Sequence, residues 1–232
     1  MKHGKKYRAI AEKIDMTKEY ELSEAIAMIK GNASAKFDES VEAHIKLNIE
    51  PKKNDQQVRA TVVLPHGTGR MKKVAVVTSD KAKEKEAEAA GAVLVGGEDL
   101  IAQIKEGKII PGSAFDILLA TPDMMPKLAT VAKILGPKGL MPSPKNETVT
   151  AKIAETTEML SKGKKASFKN DDGGNVHQVI GRLSFDTAAL LENANTFFDT
   201  VQKSKPEGVK GKFVKSVVLA ATMGPGIRVN LQ

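Results

Sequence analysis

From residue 41 the chain alternates. Val41, Ala43, Ile45, Leu47 and Ile49 interleave with Glu42, His44, Lys46 and Asn48. A period of two predicts a half-buried strand with one polar face. Upstream the period is helical: Leu22, Ala25, Ile26 and Ile29 recur at helical spacing, Ser23 and Glu24 suit a first turn, and Gly31 and Asn32 stop the element. Helices are therefore predicted over 4–14 and 22–30. A polar loop from Pro51 to Gln57 leads to a second predicted strand, 58–64, and two strands joined in this way predict an antiparallel pair.

Past Pro65-His-Gly-Thr-Gly-Arg70 the pattern changes. Short apolar runs at 74–78, 92–95 and 116–120 alternate with helical stretches at 80–90, at 99–106 and after Pro122. This alternation predicts a parallel sheet covered by helices. A stiff Gly/Pro loop, 136–144, and a helix over 151–160 follow. The antiparallel style then returns: a strand at 165–169, a turn at 170–174, a strand at 176–183, a long helix over 187–202, a strand at 213–222, a turn at Met223-Gly-Pro-Gly226 and a strand at 227–231. The economical reading is a discontinuous α+β domain interrupted by an α/β insertion, with linkers near 65–70 and 161–164 as a hinge. Periodicity alone fits three serial pieces equally well.

Composition sharpens this only in places. The 232 residues contain no Cys and no Trp, and aromatics make up 4%. The core must be aliphatic, and disulfides, thiolate metal sites and Cys nucleophiles are excluded. The cysteine-free chain suits a reducing cytosol. The first ten residues lack the apolar run of a secretory signal, and no stretch approaches the ~18 apolar residues that span a bilayer. The net charge is +8. Residues 67–160 hold 13 basic and 12 acidic side chains, against 12 and 10 in 1–66 and 11 and 6 in 161–232. The excess lies in the flanks, where it would attract a polyanion by counterion release. Ordinary solubility charge accounts for it as well.

Catalytic motifs are not found. His3, His44, His66 and His177 have no metal-ligand spacing, and there is no G-x-S-x-G elbow. His44 could pair with Glu42 two residues away on one strand face, although polar faces often carry such neighbours. Gly67-Thr-Gly69 lacks the third glycine of a dinucleotide fingerprint and leads into a strand, so a hinge is the better reading. Lys138 and Lys145 on the stiff loop could meet a phosphate backbone or simply be solvated. At the tail, Ser216, Val218, Ala220 and Thr222 share one strand face, and Met223 sits on the turn that follows. Small residues admit a close backbone, and hydroxyls and amides can bond the 2′-OH groups of RNA. An ordinary hairpin would look the same. Phe37 could stack on a base or enter the core.

Four blocks carry a resemblance: Lys36-Phe-Asp-Glu-Ser-Val-Glu-Ala-His-Ile-Lys46, Val58-Arg-Ala-Thr-Val-Val-Leu-Pro-His-Gly-Thr-Gly69, Ile134-Leu-Gly-Pro-Lys-Gly-Leu-Met-Pro142 and Lys215-Ser-Val through Thr222-Met-Gly-Pro-Gly-Ile-Arg-Val229. In order and over nearly the whole chain, they resemble the bacterial ribosomal protein L-one family. The resemblance implies a discontinuous α+β domain with an antiparallel sheet, 1–67 plus 161–232, and an inserted Rossmann-like three-layer α/β domain, 68–160. It also implies a non-enzymatic, cytoplasmic component of the large ribosomal subunit, monomeric off the ribosome, with no cofactor, metal or membrane partner. The implied partners are large-subunit rRNA at the mobile stalk, exit-site tRNA and the mRNA of its own operon, which it would repress. The RNA-binding residues implied by position are Lys36, Phe37, Ser40, Glu42, Lys46, Lys169, His177, Ser216, Thr222, Met223 and Gly224. Many relatives have Thr where this chain has Ser40, and the hydroxyl survives the exchange. A nucleotide-dependent enzyme and a generic nucleic-acid scaffold are the rival readings.

Overall fold

The computed structural model describes residues 4–15 and 17–230. His3 and Leu231 lie outside them. In chain order the elements are α1 (Lys5–Ala11), α2 (Leu22–Gly31), β1 (Ser40–Leu47), β2 (Arg59–Val63), β3 (Val74–Val77), α3 (Lys81–Ala89), β4 (Leu94–Gly96), α4 (Glu98–Lys105), β5 (Ile117–Ala120), α5 (Met125–Leu128), α6 (Ala132–Leu135), α7 (Ile153–Ser161), β6 (Lys165–Lys169), β7 (Asn175–Arg182), α8 (Thr187–Lys203), β8 (Val214–Ala221) and β9 (Ile227–Val229). Two compact units share the chain: Met1–Gly69 with Ser167–Gln232, and Arg70–Ala166.

In the first unit β1 lies inside a four-stranded sheet of order β7-β1-β8-β9, antiparallel throughout. Its alternation is realised residue by residue: Val41, Ala43, Ile45 and Leu47 are buried, while Ser40, Glu42, His44 and Lys46 face outward. Helices α2 and α8 cover the inner face, α2 packing on β8 and β9 and α8 on β7. Their apolar stripes, Ile26 and Ile29 on one and Leu190, Ala194, Phe197 and Val201 on the other, are buried. Asn193 is fully buried in α8 and fully used. Its amide donates to the carbonyls of Gly67 (2.9 Å) and Ile180 (2.8 Å), and its oxygen accepts from the His66 N–H (3.1 Å). A buried amide satisfied on both ends holds the 64–69 segment to the sheet without a desolvation penalty.

The antiparallel pair expected from the 41–49 and 58–64 strands does not form. Both edges of β1 are taken by β7 and β8, and β2 pairs instead with β6 in a separate two-stranded sheet. The connection between β1 and β2 includes Pro51 and a 3-10 turn at Asn54–Gln56, longer than the two to five residues of a usual hairpin loop. Asn170 fastens the alternative pairing: its side-chain oxygen accepts from the Val58 N–H (2.8 Å), and its own N–H donates to the Val58 carbonyl (3.0 Å).

The second unit carries a parallel sheet of order β4-β3-β5. All four residues of β3 are buried. Ala75 and Val77 pack with Leu100, Ile101 and Ile104 of α4 and with Leu128 and Leu135, whereas Val74 and Val76 pack with Ala87 of α3 and with Ile153 and Leu160 of α7. The unit is therefore three-layered. The helix expected after Pro122 is broken into α5 and α6 by 3-10 turns at Pro122–Met124 and Ala129–Val131. Pro126 lacks an N–H to continue the ladder, and Thr130 Oγ1 donates back to the Lys127 carbonyl (2.8 Å). Lys138, a candidate phosphate ligand on sequence grounds, turns inward. Its ammonium donates to the Pro111 carbonyl (2.7 Å), so it closes the loop onto its own unit. The side chain of Lys145 lies outside what the structure describes.

Candidate nucleic-acid interface

The uncovered face of the four-stranded sheet gathers polar side chains in rows set by strand register. Across one row, His177 lies opposite His44, His44 opposite Val218, and Val218 opposite Arg228. The neighbouring row runs Asn175, Lys46 and Ser216, and the next Val179, Glu42 and Ala220. Ser216 is exposed and Val218 and Ala220 are half-buried, leaving a shallow strip of small residues along β8. The Lys46 ammonium donates to the Gly173 carbonyl in the turn before β7.

At one end of this face the turn 222–226 is braced from three sides. Thr222 N–H donates to the Ser40 carbonyl (3.1 Å), and Thr222 Oγ1 accepts from the Ser40 N–H (3.0 Å). The Thr222 hydroxyl proton remains for the Ser40 carbonyl at 3.4 Å or for an incoming acceptor. Met223 N–H donates to Glu39 Oε2 (3.0 Å). Glu39 is 1% exposed, and its other oxygen accepts from the N–H groups of Ser34 (3.3 Å) and Ala35 (3.1 Å). One buried carboxylate thus ties the loop carrying Lys36 and Phe37 to the turn carrying Met223. Gly224 and Pro225 lie beside an apolar pocket lined by Ile10, Ile14 and Ile29. At Gly226 a Cβ would stand 2.7 Å from Val218 Cγ1, so a larger residue there would displace Val218.

What this rigid frame presents outward is soft and apolar. Phe37 is 57% exposed and Met223 56%. Both are large hydrophobics that folding has left in water, at the end of the polar sheet face. Lys36 is exposed on the same loop, and Lys169 is exposed at the end of β6. Two residues on, Asp171 Oδ2 comes within 3.5 Å of His177 Nε2. The Asp171 carboxyl is held down to about 2, first by the side-chain hydrogen bond from Asn175 and then by the Asn175 N–H. His44 is pushed below its ordinary value by burial and then by His177, against the pull of Glu42.

The expected residues therefore fall into a sheet-face group (Ser40, Glu42, Lys46, His177, Ser216), a braced turn (Thr222, Met223, Gly224), a loop tied to that turn (Lys36, Phe37) and Lys169 at the margin. Three others are added by the structure: Glu39, His44 as a partner of His177, and Arg228. Glu39 had a readable signal. It has the parity of Val41, Ala43 and Ile45, the side of β1 that faces inward. The Gly67-Thr-Gly69 segment is a packed turn, with Gly69 at φ 73° and no room for a Cβ, 2.7 Å from Arg182 Cγ. Among the described residues no group of three His, Asp or Glu is placed to hold a metal, and no helix is long and apolar enough to cross a membrane.

Residues 29–225 match the model of the ribosomal protein L1p/L10e family. The chain is 48% identical over 231 residues to the large ribosomal subunit protein uL1 of Kosmotoga olearia, covering 100% of this chain and 97% of that protein. It is 47% identical over 230 residues to the protein of the same name from Thermosipho africanus, covering 99% and 97%. A match over most of the chain, at nearly half identity, spans the braced turn, the sheet face and the parallel-sheet unit alike, and the chain belongs to the ribosomal protein L1p/L10e family.

Proposed function

We propose that this ribosomal protein is a structural component of the large subunit that grips rRNA at the base of the mobile stalk through the face of β1, β7 and β8 and the turn at Thr222–Gly224. It works in the cytoplasm as a monomer when off the ribosome. The same surface serves a second purpose, repression of its own operon by binding a similar site in the mRNA. On the ribosome it assists release of deacylated tRNA from the exit site. No chemical step is asked of it.

The observation that carries this reading is the braced turn. Met223 and Phe37 are exposed, yet Glu39 holds the backbone N–H of Met223 and that of Ala35, two residues before Phe37. A preformed surface binds without first losing loop entropy. An A-form helix offers a wide, shallow minor groove lined by 2′-hydroxyls, which suits small residues, a hydroxyl and backbone amides. Lys36, Lys46 and Lys169 supply the salt-dependent attraction. This combination reads shape more than base identity.

Filter binding of the full chain to a stalk rRNA fragment, against a perfect duplex of equal length over a salt series, tests the proposal. Tight binding to the stalk fragment that survives high salt is expected. Equal binding to both, collapsing with salt, would reduce the protein to a basic polymer binder and remove the site.

A further inference from the structure

His44 and His177 stand opposite one another across β1 and β7, with ring centroids 5.0 Å apart and planes at 63°. Their Nδ1 atoms are 2.8 Å apart. The two outer nitrogens each look toward a carboxylate: His44 Nε2 is 3.9 Å from Glu42 Oε2, and His177 Nε2 is 3.5 Å from Asp171 Oδ2. Four ring nitrogens thus lie in a chain between two carboxylates.

Counting protons over that chain limits the states open to it. A bond between two ring nitrogens needs one proton, donated by one ring to the bare nitrogen of the other. If both rings are neutral, a second proton is left for two outer nitrogens, and one bare lone pair faces a carboxylate. With one proton more, every position is satisfied: an N–H between the rings and an N–H toward each carboxylate. A fourth proton would set two Nδ1–H groups head to head and break the pair. One extra proton, shared as a single positive charge, would give each outer nitrogen an N–H facing its carboxylate, and a bound phosphate would favour that state.

We propose that the His44–His177 pair is a one-proton contact for the phosphodiester backbone of RNA, so that RNA docking on this face is accompanied by uptake of about one proton. The proposal rests on the reading of this face as the RNA surface. His44 thereby joins the binding residues as the partner that lets His177 carry charge.

The surroundings agree. Glu42 and Lys46 flank the pair on β1, and Asp171 faces it from the turn before β7. β8 presents uncharged Val218 opposite His44, with Ser216 further along, and Arg228 of β9 lies beyond Val218. Asp171 stays ionised down to about pH 2, so its end of the chain always accepts. Burial of His44 and repulsion from His177 hold His44 below its ordinary value, which opposes the extra proton until a phosphate anion offsets them.

The test measures affinity of the full chain for the stalk rRNA fragment between pH 5.5 and 8.5 at fixed salt. It also measures proton uptake, by calorimetry in buffers of different ionisation enthalpy. The wild type should lose affinity about tenfold from pH 6 to pH 8, since one linked proton changes affinity by up to tenfold per pH unit. Proton uptake near one at the alkaline end is expected. His44→Gln should still bind but with a flattened profile and no uptake. The wild-type uptake needs no variant and decides the matter even if His44→Gln fails to fold. Tight, pH-independent binding without uptake would overturn the proton-linked pair and leave the RNA surface standing. Absence of stalk binding at every pH would overturn both.

Discussion

The four-stranded antiparallel sheet and the parallel sheet of this molecule are built from much the same aliphatic residues and teach opposite lessons. In β3, Val74 to Val77 are buried without exception, because helices lie on both faces of the parallel sheet. In β1 every second residue is buried and the intervening ones are not, because helices lie on one face only. The first arrangement spends its side chains on cohesion. The second leaves one whole face available, and there the polar rows, the imidazole pair and the braced turn are found. The residue pattern of a strand thus distinguishes an interior sheet from one that can meet a partner.

Placing an acid on each sheet should break the symmetry most visibly. Val76→Asp puts an unpaired charge between two helical layers and should cost roughly 3–5 kcal/mol of stability in urea unfolding. Val218→Asp, on the open face, should change stability by less than about 1 kcal/mol and instead weaken binding to the stalk fragment by repulsion. A comparable loss of stability from both would erase the contrast. Glu39→Ala comes next. It strands three N–H donors in the loop and the turn, and charged hydrogen bonds of this kind contribute ~1.5–3 kcal/mol. RNA affinity should fall by a similar amount, read by filter binding at moderate salt, with the melting temperature lowered as well. Thr222→Ala should cost ~1–3 kcal/mol of binding, whereas Lys36→Ala should mainly reduce the salt slope by about 1. Equal small losses from both would mean that charge outweighs the turn. The smallest effect concerns Asp171, whose folded pKa of about 2 lies below its ordinary 3.8. Its contribution is fully present above pH 3.8 and fades as pH falls toward 2. Melting curves of Asp171→Asn and wild type should accordingly differ at pH 5 and converge near pH 2.

Element positions were legible wherever one period ran unbroken. The alternation from Val41 to Leu47, the apolar run at Val74–Val77 and the stripe of α8 each specify their own environment. Partners of strands were not legible. β1 acquires β7 and β8 from far along the chain, so the rule that neighbours pair led to β2, and that was wrong. The site divides in the same way. The face holding Ser216, Val218 and Ala220 follows from parity within one strand. The proton-sharing pair joins residues 44 and 177 by register alone, and no local pattern reveals register. Lys138 failed for a third reason, because a flexible cation on a loop is free to turn inward to a carbonyl. Glu39 was readable by parity and overlooked because carboxylates are so rarely buried.

The discontinuity of the first unit also has a consequence in time. Chains are synthesised from the N-terminus, and domains fold as units when their residues are available. The parallel-sheet unit is contiguous, and its strands complete one another by residue 120. β1 waits with both edges bare until residues 175–182 and 214–221 have emerged. The face that would meet RNA is therefore the last thing to exist. A nascent chain stalled before β8 carries a finished insertion and an unmade grip, so assembly onto RNA must follow release of nearly the whole polypeptide.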